Sequence, residues 1–153
     1  VVNFKTLSLK DLYLMWVAVL LIVTAVSFFS GEYAELMSLA VAKSGPLPQG
    51  MPHDAMMLAF VVISLVVALV SVVAGFVLVH FATKDKTWAK WLFLIFCVWQ
   101  LKESTWESYR LSQMYPDFVF GIWNTIGGII SLALVLLLTV KTIQMLNKKP
   151  AGA

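Results

Sequence analysis

Residues 88–113 read WAKWLFLIFCVWQLKESTWESYRLSQ, and the fold turns on whether this stretch crosses a membrane. Its apolar part, Trp91 to Leu101 interrupted only by Gln100, is too short alone, because a hydrocarbon core about 30 Å thick takes roughly 20 residues of helix. Three other runs are long enough: Leu12 to Ser30, Ala55 to Phe81 and Phe118 to Val140. With three spans, the lysines fall on both sides. With four, Lys5, Lys10, Lys84, Lys86, Lys90, Lys141, Lys148 and Lys149 gather on one side. The opposite loops then carry Glu32, Glu35, Asp54 and Asp117, with Lys43 as their only lysine. Lysine-rich loops stay on the cytoplasmic side. The sequence therefore predicts an all-α, polytopic transmembrane four-helix bundle with cytoplasmic N- and C-termini. It is read as a single transmembrane domain over 1–153, with spans near 12–30, 55–81, 88–112 and 118–146.

Composition agrees. Hydrophobic residues make up 61% of the chain and charged residues 12%, with a mean hydropathy of +0.90. A water-soluble fold of this size cannot hide that much apolar surface. A soluble enzyme, a disordered tail and a nucleic-acid module are excluded. The net charge of +3 follows from the lysine-rich side and needs no nucleic-acid partner. The one cysteine, Cys97, lies in an apolar run and reads as a small hydrophobe. No cleavable signal peptide is visible, since the run from Leu12 is too long for one. The chain starts at Val1, so an initiator Met or a short leader is expected ahead of it.

Span three carries the chemistry. Phe96, Gln100, Glu103, Glu107 and Arg110 recur every three or four residues and form one helical stripe, with Trp99 and Trp106 at its edge. Lys102, Thr105 and Tyr109 project from the other side. Counted from Trp88, Glu103 lies roughly 22 Å along the helix and Glu107 roughly 28 Å. A charge deep in a bilayer costs about 2.5–3.5 kcal/mol on insertion scales. The stripe is therefore expected to face the interior or a wet cavity, with Glu103 mostly buried and pointing toward the bundle axis. Arg110 is placed to pair with Glu107, which leaves Glu103 needing another partner. The alternative is a helix that emerges early, making the stripe a solvated external face. Asn124, about a turn into span four, also needs a partner, and Gln100, Glu103 and Glu107 are the candidates. Together these residues predict an outward-side ligand pocket built on Gln100, Glu103, Glu107, Arg110 and Asn124, ringed by Trp99, Trp106 and Trp123. His53 and Asp54 share that level and form a weaker metal candidate with the two glutamates. Asp54 also reads as an N-cap for span two.

The external loop 31–54 opens with EYAELMSLAVAK, whose Tyr33, Leu36, Met37 and Ala40 fall at helical spacing, so a short interfacial helix is expected there. Ser64, Ala68, Ser71 and Gly75 in span two, and Gly121, Thr125 and Gly128 in span four, form small-residue faces. Such faces suit close helix packing within the chain or docking on another membrane subunit.

No Walker loop, dinucleotide fingerprint, nucleophile elbow or CxxC pair is present in the sequence. Paired histidines on different spans, as a membrane cytochrome needs, are also missing. Glu103, Glu107, Trp123 and Asn124 follow an order similar to sterol-isomerase-like bundles. The carboxylate that family would place in the preceding span is absent from 55–81, which removes the acid–base pair, so no family is assigned. Three functions follow as expectations. The first is binding of a small amphipathic or cationic molecule, or a lipid headgroup, in the carboxylate pocket. The second is an accessory subunit of a membrane complex. The third is an intramembrane acid–base or metal enzyme using Glu103 or Glu107 with His53. No cofactor is identifiable.

Overall fold

The computed structural model describes residues 7–43 and 52–148. They form five helices, with no strand among the described residues. They are α1 (Leu9–Phe29), α2 (Glu32–Lys43), α3 (His53–Thr83), α4 (Thr87–Met114) and α5 (Ile122–Asn147). Of these, α1, α3 from Asp54, and α5 are long and apolar enough to cross a membrane. α4 is as long, but Lys102, Glu103, Glu107 and Arg110 break its apolar run.

Local chemistry fixes the helix ends. Ser8 and Asp11 form a reciprocal capping box: the Ser8 hydroxyl accepts from the Asp11 N–H, and the Asp11 carboxylate accepts from the Ser8 N–H, both at 3.1 Å. The chain turns from α1 to α2 at Gly31, where φ is +81°. α3 ends in a Schellman arrangement. The Lys86 N–H donates to the Phe81 carbonyl and the Asp85 N–H to the Ala82 carbonyl, each at 3.2 Å. Asp85 occupies the left-handed position with φ +58°, where glycine is usual. It uses that place to accept from the ammonium of Lys90 at 2.7 Å. Span four was expected from residue 118, but 118–121 are not helical. Extended Gly121 is the N-cap and α5 begins at Ile122.

α1 packs on α5 and α3, and α4 packs on α3 and α5. Contacts show how these helices run. Near the start of α1, the Tyr13 hydroxyl donates to the Val72 carbonyl of α3 at 2.6 Å. The Trp16 indole donates to Ser131 of α5 at 3.0 Å, and the Lys141 ammonium donates to the Leu7 carbonyl. The late parts of α3 and α5 thus lie at the same end of the molecule, beside the start of α1. The two helices run the same way, and α4 returns between them.

The core sits at this end. Leu9, Leu12, Tyr13 and Trp16 pack with Val79, Ala82, Ala89, Phe93 and Cys97, and with Leu134, Val135 and Leu138. Its centre is aromatic: Tyr13 meets the edge of Phe93 at 5.9 Å, Trp16 meets Phe96 at 6.0 Å, and Phe93 stacks on Phe96 at 5.9 Å. Gly75 makes the closest approach possible. A Cβ there would enter the Tyr13 ring, so only glycine lets that phenol lie against the α3 backbone and reach Val72. One of the small-residue faces is thereby used inside the chain.

Candidate functional site

The end away from this core is built differently, and it holds every residue of the expected pocket. On α4, the side that buries Ala89, Phe93 and Cys97 continues through Gln100, Glu107 and Leu111, with Glu103 at its edge. Gln100, Glu103, Glu107, Leu111 and Met114 are each half-buried, while Ser104, Thr105, Trp106, Ser108, Tyr109 and Arg110 are exposed. The expected stripe therefore lies on the inward side of α4, but without the expected burial. The Glu103 side chain is 38% exposed and Glu107 44% exposed. Large apolar residues bury this face lower down, at Ala89, Phe93 and Cys97.

Arg110 pairs with Glu107 at 3.6 Å, as their spacing suggests. Both ends are open, so the pair adds little stability. Among the described residues Glu103 meets Lys102, at 4.0 Å, and Lys102 also sits 5.0 Å from the centre of the Trp99 ring. Trp99, Trp106 and Trp123 are all exposed and point away from the packed interior, so they do not ring an enclosed pocket. Trp106 leans on Tyr109 instead, with ring centres 6.0 Å apart.

Asn124 is where the sequence reading needs correction. It is buried at 7% exposure, but its partner is Glu32 rather than Gln100, Glu103 or Glu107. The Glu32 carboxylate accepts from the Asn124 amide and from the Gly121 N–H, the latter at 3.1 Å. The reason lies at the start of α5. Its first N–H groups need acceptors, and Gly121 has no side chain to supply one. Glu32 supplies it from another helix, and its negative charge meets the positive end of the α5 dipole. The missing Cβ at Gly121 is what admits the carboxylate, since a side chain there would overlap it. The Asn124 Oδ1 is buried and has no hydrogen-bond partner among the described residues.

Glu32 also docks α2. The first residue of α2 is held at α5, and at its last residue the Lys43 ammonium lies 4.6 Å from the centre of the Tyr115 ring in the α4–α5 connection. Tyr33, Leu36, Met37 and Ala40 are half-buried, so the apolar face read from the sequence is the one turned inward. The role of Glu32 was missed, although one signal was available: a long helix following a glycine with no capping side chain.

For the metal candidate, the His53 side chain lies outside the described residues, and Asp54 is exposed in the first turn of α3. Pro52, not Asp54, holds the N-cap position of α3. Among the described residues, no three His, Cys, Asp or Glu side chains gather to hold a metal. The small-residue faces divide. Gly75 and Gly121 are used within the chain, Ser71 bonds back to the Val67 carbonyl at 2.9 Å, and Thr125 to the Gly121 carbonyl at 3.2 Å. Ser64 and Ala68 line an open cleft, and Gly128 faces open space. Comparison of the chain with known protein families, with curated proteins and with solved structures finds no match.

Proposed function

We propose that the chain is a four-span integral membrane protein with both termini on the lysine-rich, cytoplasmic side, and that it binds a small cationic amphiphile at the opposite end. The four-span reading is supported by direction. α3 and α5 run the same way, so if both cross, the chain between them must come back, and α4 is that segment. Its 28 residues reach about 42 Å, more than the hydrocarbon core. The charge distribution agrees, because the lysines of the α3–α4 connection and of both chain ends then share one side.

One observation carries the ligand reading. The inward side of α4 changes from Phe93 and Cys97 to Gln100, Glu103 and Glu107 at the level where the packed core stops, and the two carboxylates stay half-covered. Arg110 answers one of them. This end carries six acids against Lys43, Lys102 and Arg110, so it favours a cation. An amphiphile places its charged head at the carboxylates and its apolar part in the bilayer.

Tetraphenylphosphonium is a suitable probe, followed by tryptophan fluorescence on protein in detergent. Saturable quenching is expected. Glu103→Gln should weaken it about tenfold without altering the helical signal, a loss of about 1.4 kcal/mol. Unsaturable quenching, or quenching indifferent to both Glu103→Gln and Glu107→Gln, removes the proposal.

A second reading, the accessory subunit, is favoured by the outer face of α4, where Trp99, Lys102, Trp106 and Tyr109 are all exposed. In that case the native particle extracted in mild detergent is larger than one chain, and Trp106→Ala releases the other subunits.

A further inference from the structure

The side of α4 turned away from the bundle carries a pattern of its own. Leu92, Ile95, Trp99, Lys102, Trp106 and Tyr109 alternate spacings of three and four, and all are exposed. That alternation keeps one seam in line along a helix, which is how one helix presents itself to another. Lys102 is the unusual member. If α4 crosses, Trp91 marks the cytoplasmic interface, and Lys102 lies roughly 17 Å beyond it, near the middle of a hydrocarbon core about 30 Å thick. The nearer interface is then about 13 Å away, further than four methylenes extend. The Lys102 side chain is 62% exposed. Among the described residues it meets Glu103 at 4.0 Å, too long for a direct hydrogen bond, and the Trp99 ring at 5.0 Å. An ammonium facing lipid at that depth is costly, so this side calls for a cover that brings negative charge.

Charge narrows the cover. Lipid tails carry none. A second copy, related by a two-fold axis along the membrane normal, sets its own Lys102 opposite this one, and the two repel. The other helices of a copy cannot answer it either. Residues 12–30, 55–81 and 122–140 contain no Asp or Glu, and Glu103 and Glu107 belong to the inward side of α4. We propose that this seam docks a transmembrane helix of a different protein, one that carries Asp or Glu near its midpoint and pairs it with Lys102. Small residues of that helix meet Trp99 and Trp106, whose indoles supply contact area where lipid gives no hydrophobic drive. The pairing also leaves Glu103 to the inward side. The inference rests on the four-span reading, and it gives the subunit reading a partner of defined chemistry.

The test reconstitutes the full chain in phosphatidylcholine vesicles with a leucine–alanine transmembrane peptide about 20 residues long. The peptide carries Asp or Leu at its centre and a dansyl group at one end, and energy transfer from the tryptophans reads association. The Asp peptide should bind about tenfold more tightly than the Leu peptide. Lys102→Met should remove the difference and Lys102→Arg should keep it, with the helical signal intact in both. In the native particle extracted in mild detergent, Lys102→Met should release the partner. Equal binding of the two peptides, a preference that survives Lys102→Met, or a larger native particle unchanged by Lys102→Met overturns the proposal and leaves the subunit reading standing. A native particle of a single chain overturns both. Disulfide dimers formed by a Trp106→Cys protein without peptide also overturn the proposal, since they give the seam to a second copy. Labelling of Lys102→Cys by a membrane-impermeant maleimide overturns it together with the four-span reading beneath it.

Discussion

The two ends of this molecule are held together by different physics. At the lysine-rich end, apolar side chains from all four long helices interlock around Tyr13, Trp16, Phe93 and Phe96. At the other end, a short helix is docked by Glu32 and Lys43, the inward side of α4 turns to carboxylates, and α1 stands apart from α3. Lipid removes the hydrophobic drive between helices, so close packing must come from fit. The first end has that fit. The second keeps half-covered carboxylates and an open cleft instead.

The largest expected effect is at the packed end. Phe93→Ala should cost about 3 kcal/mol in unfolding from mixed micelles, because it empties the aromatic centre. Phe29→Ala, at a residue 86% exposed, should cost less than about 1 kcal/mol, and equal losses would erase the contrast between the ends. Gly75→Leu comes next, at about 1–3 kcal/mol, since it displaces Tyr13 and breaks its bond to Val72.

Glu32→Gln should cost about 1 kcal/mol or less globally, yet it should free α2. Hydrogen exchange read peptide by peptide checks this: faster exchange in 32–43 with α1 and α5 unchanged sharpens the comparison, and uniform protection removes the docking role.

The smallest effect is in the α3–α4 connection. The hydrogen bond from Lys90, and then its charge, hold the Asp85 carboxyl below its ordinary 3.8. An acid with a lowered folded value stabilises above the unfolded value and loses that contribution as pH falls through the folded one. Asp85→Asn should therefore melt below the parent at neutral pH, with the gap closing below about pH 4. A gap constant down to pH 2 would mean that the ion pair contributes nothing.

Much of this architecture was legible along the chain. The apolar lengths gave α1, α3 and α5, and the spacing of Tyr33, Leu36, Met37 and Ala40 gave α2 and its inward face. The stripe on α4 was legible in period but not in burial, because period tells which residues share a face and not what covers it. The Glu107–Arg110 pair was readable since it is local. Glu32 with Asn124 was not, because 92 residues separate them and either could have found several partners at that level.

By itself, the sequence determined that the chain is helical and that three of its helices are long and apolar enough to cross a membrane, because segment length and hydropathy are properties of each stretch alone. Only the tertiary structure decided that Gly75 receives Tyr13, that Gly121 receives Glu32, and that Thr24, Ser27, Ser64 and Tyr33 share one cleft. Those depend on how helices from distant parts of the chain slide and rotate against one another. Shape complementarity between whole surfaces sets that arrangement, and no single segment encodes it.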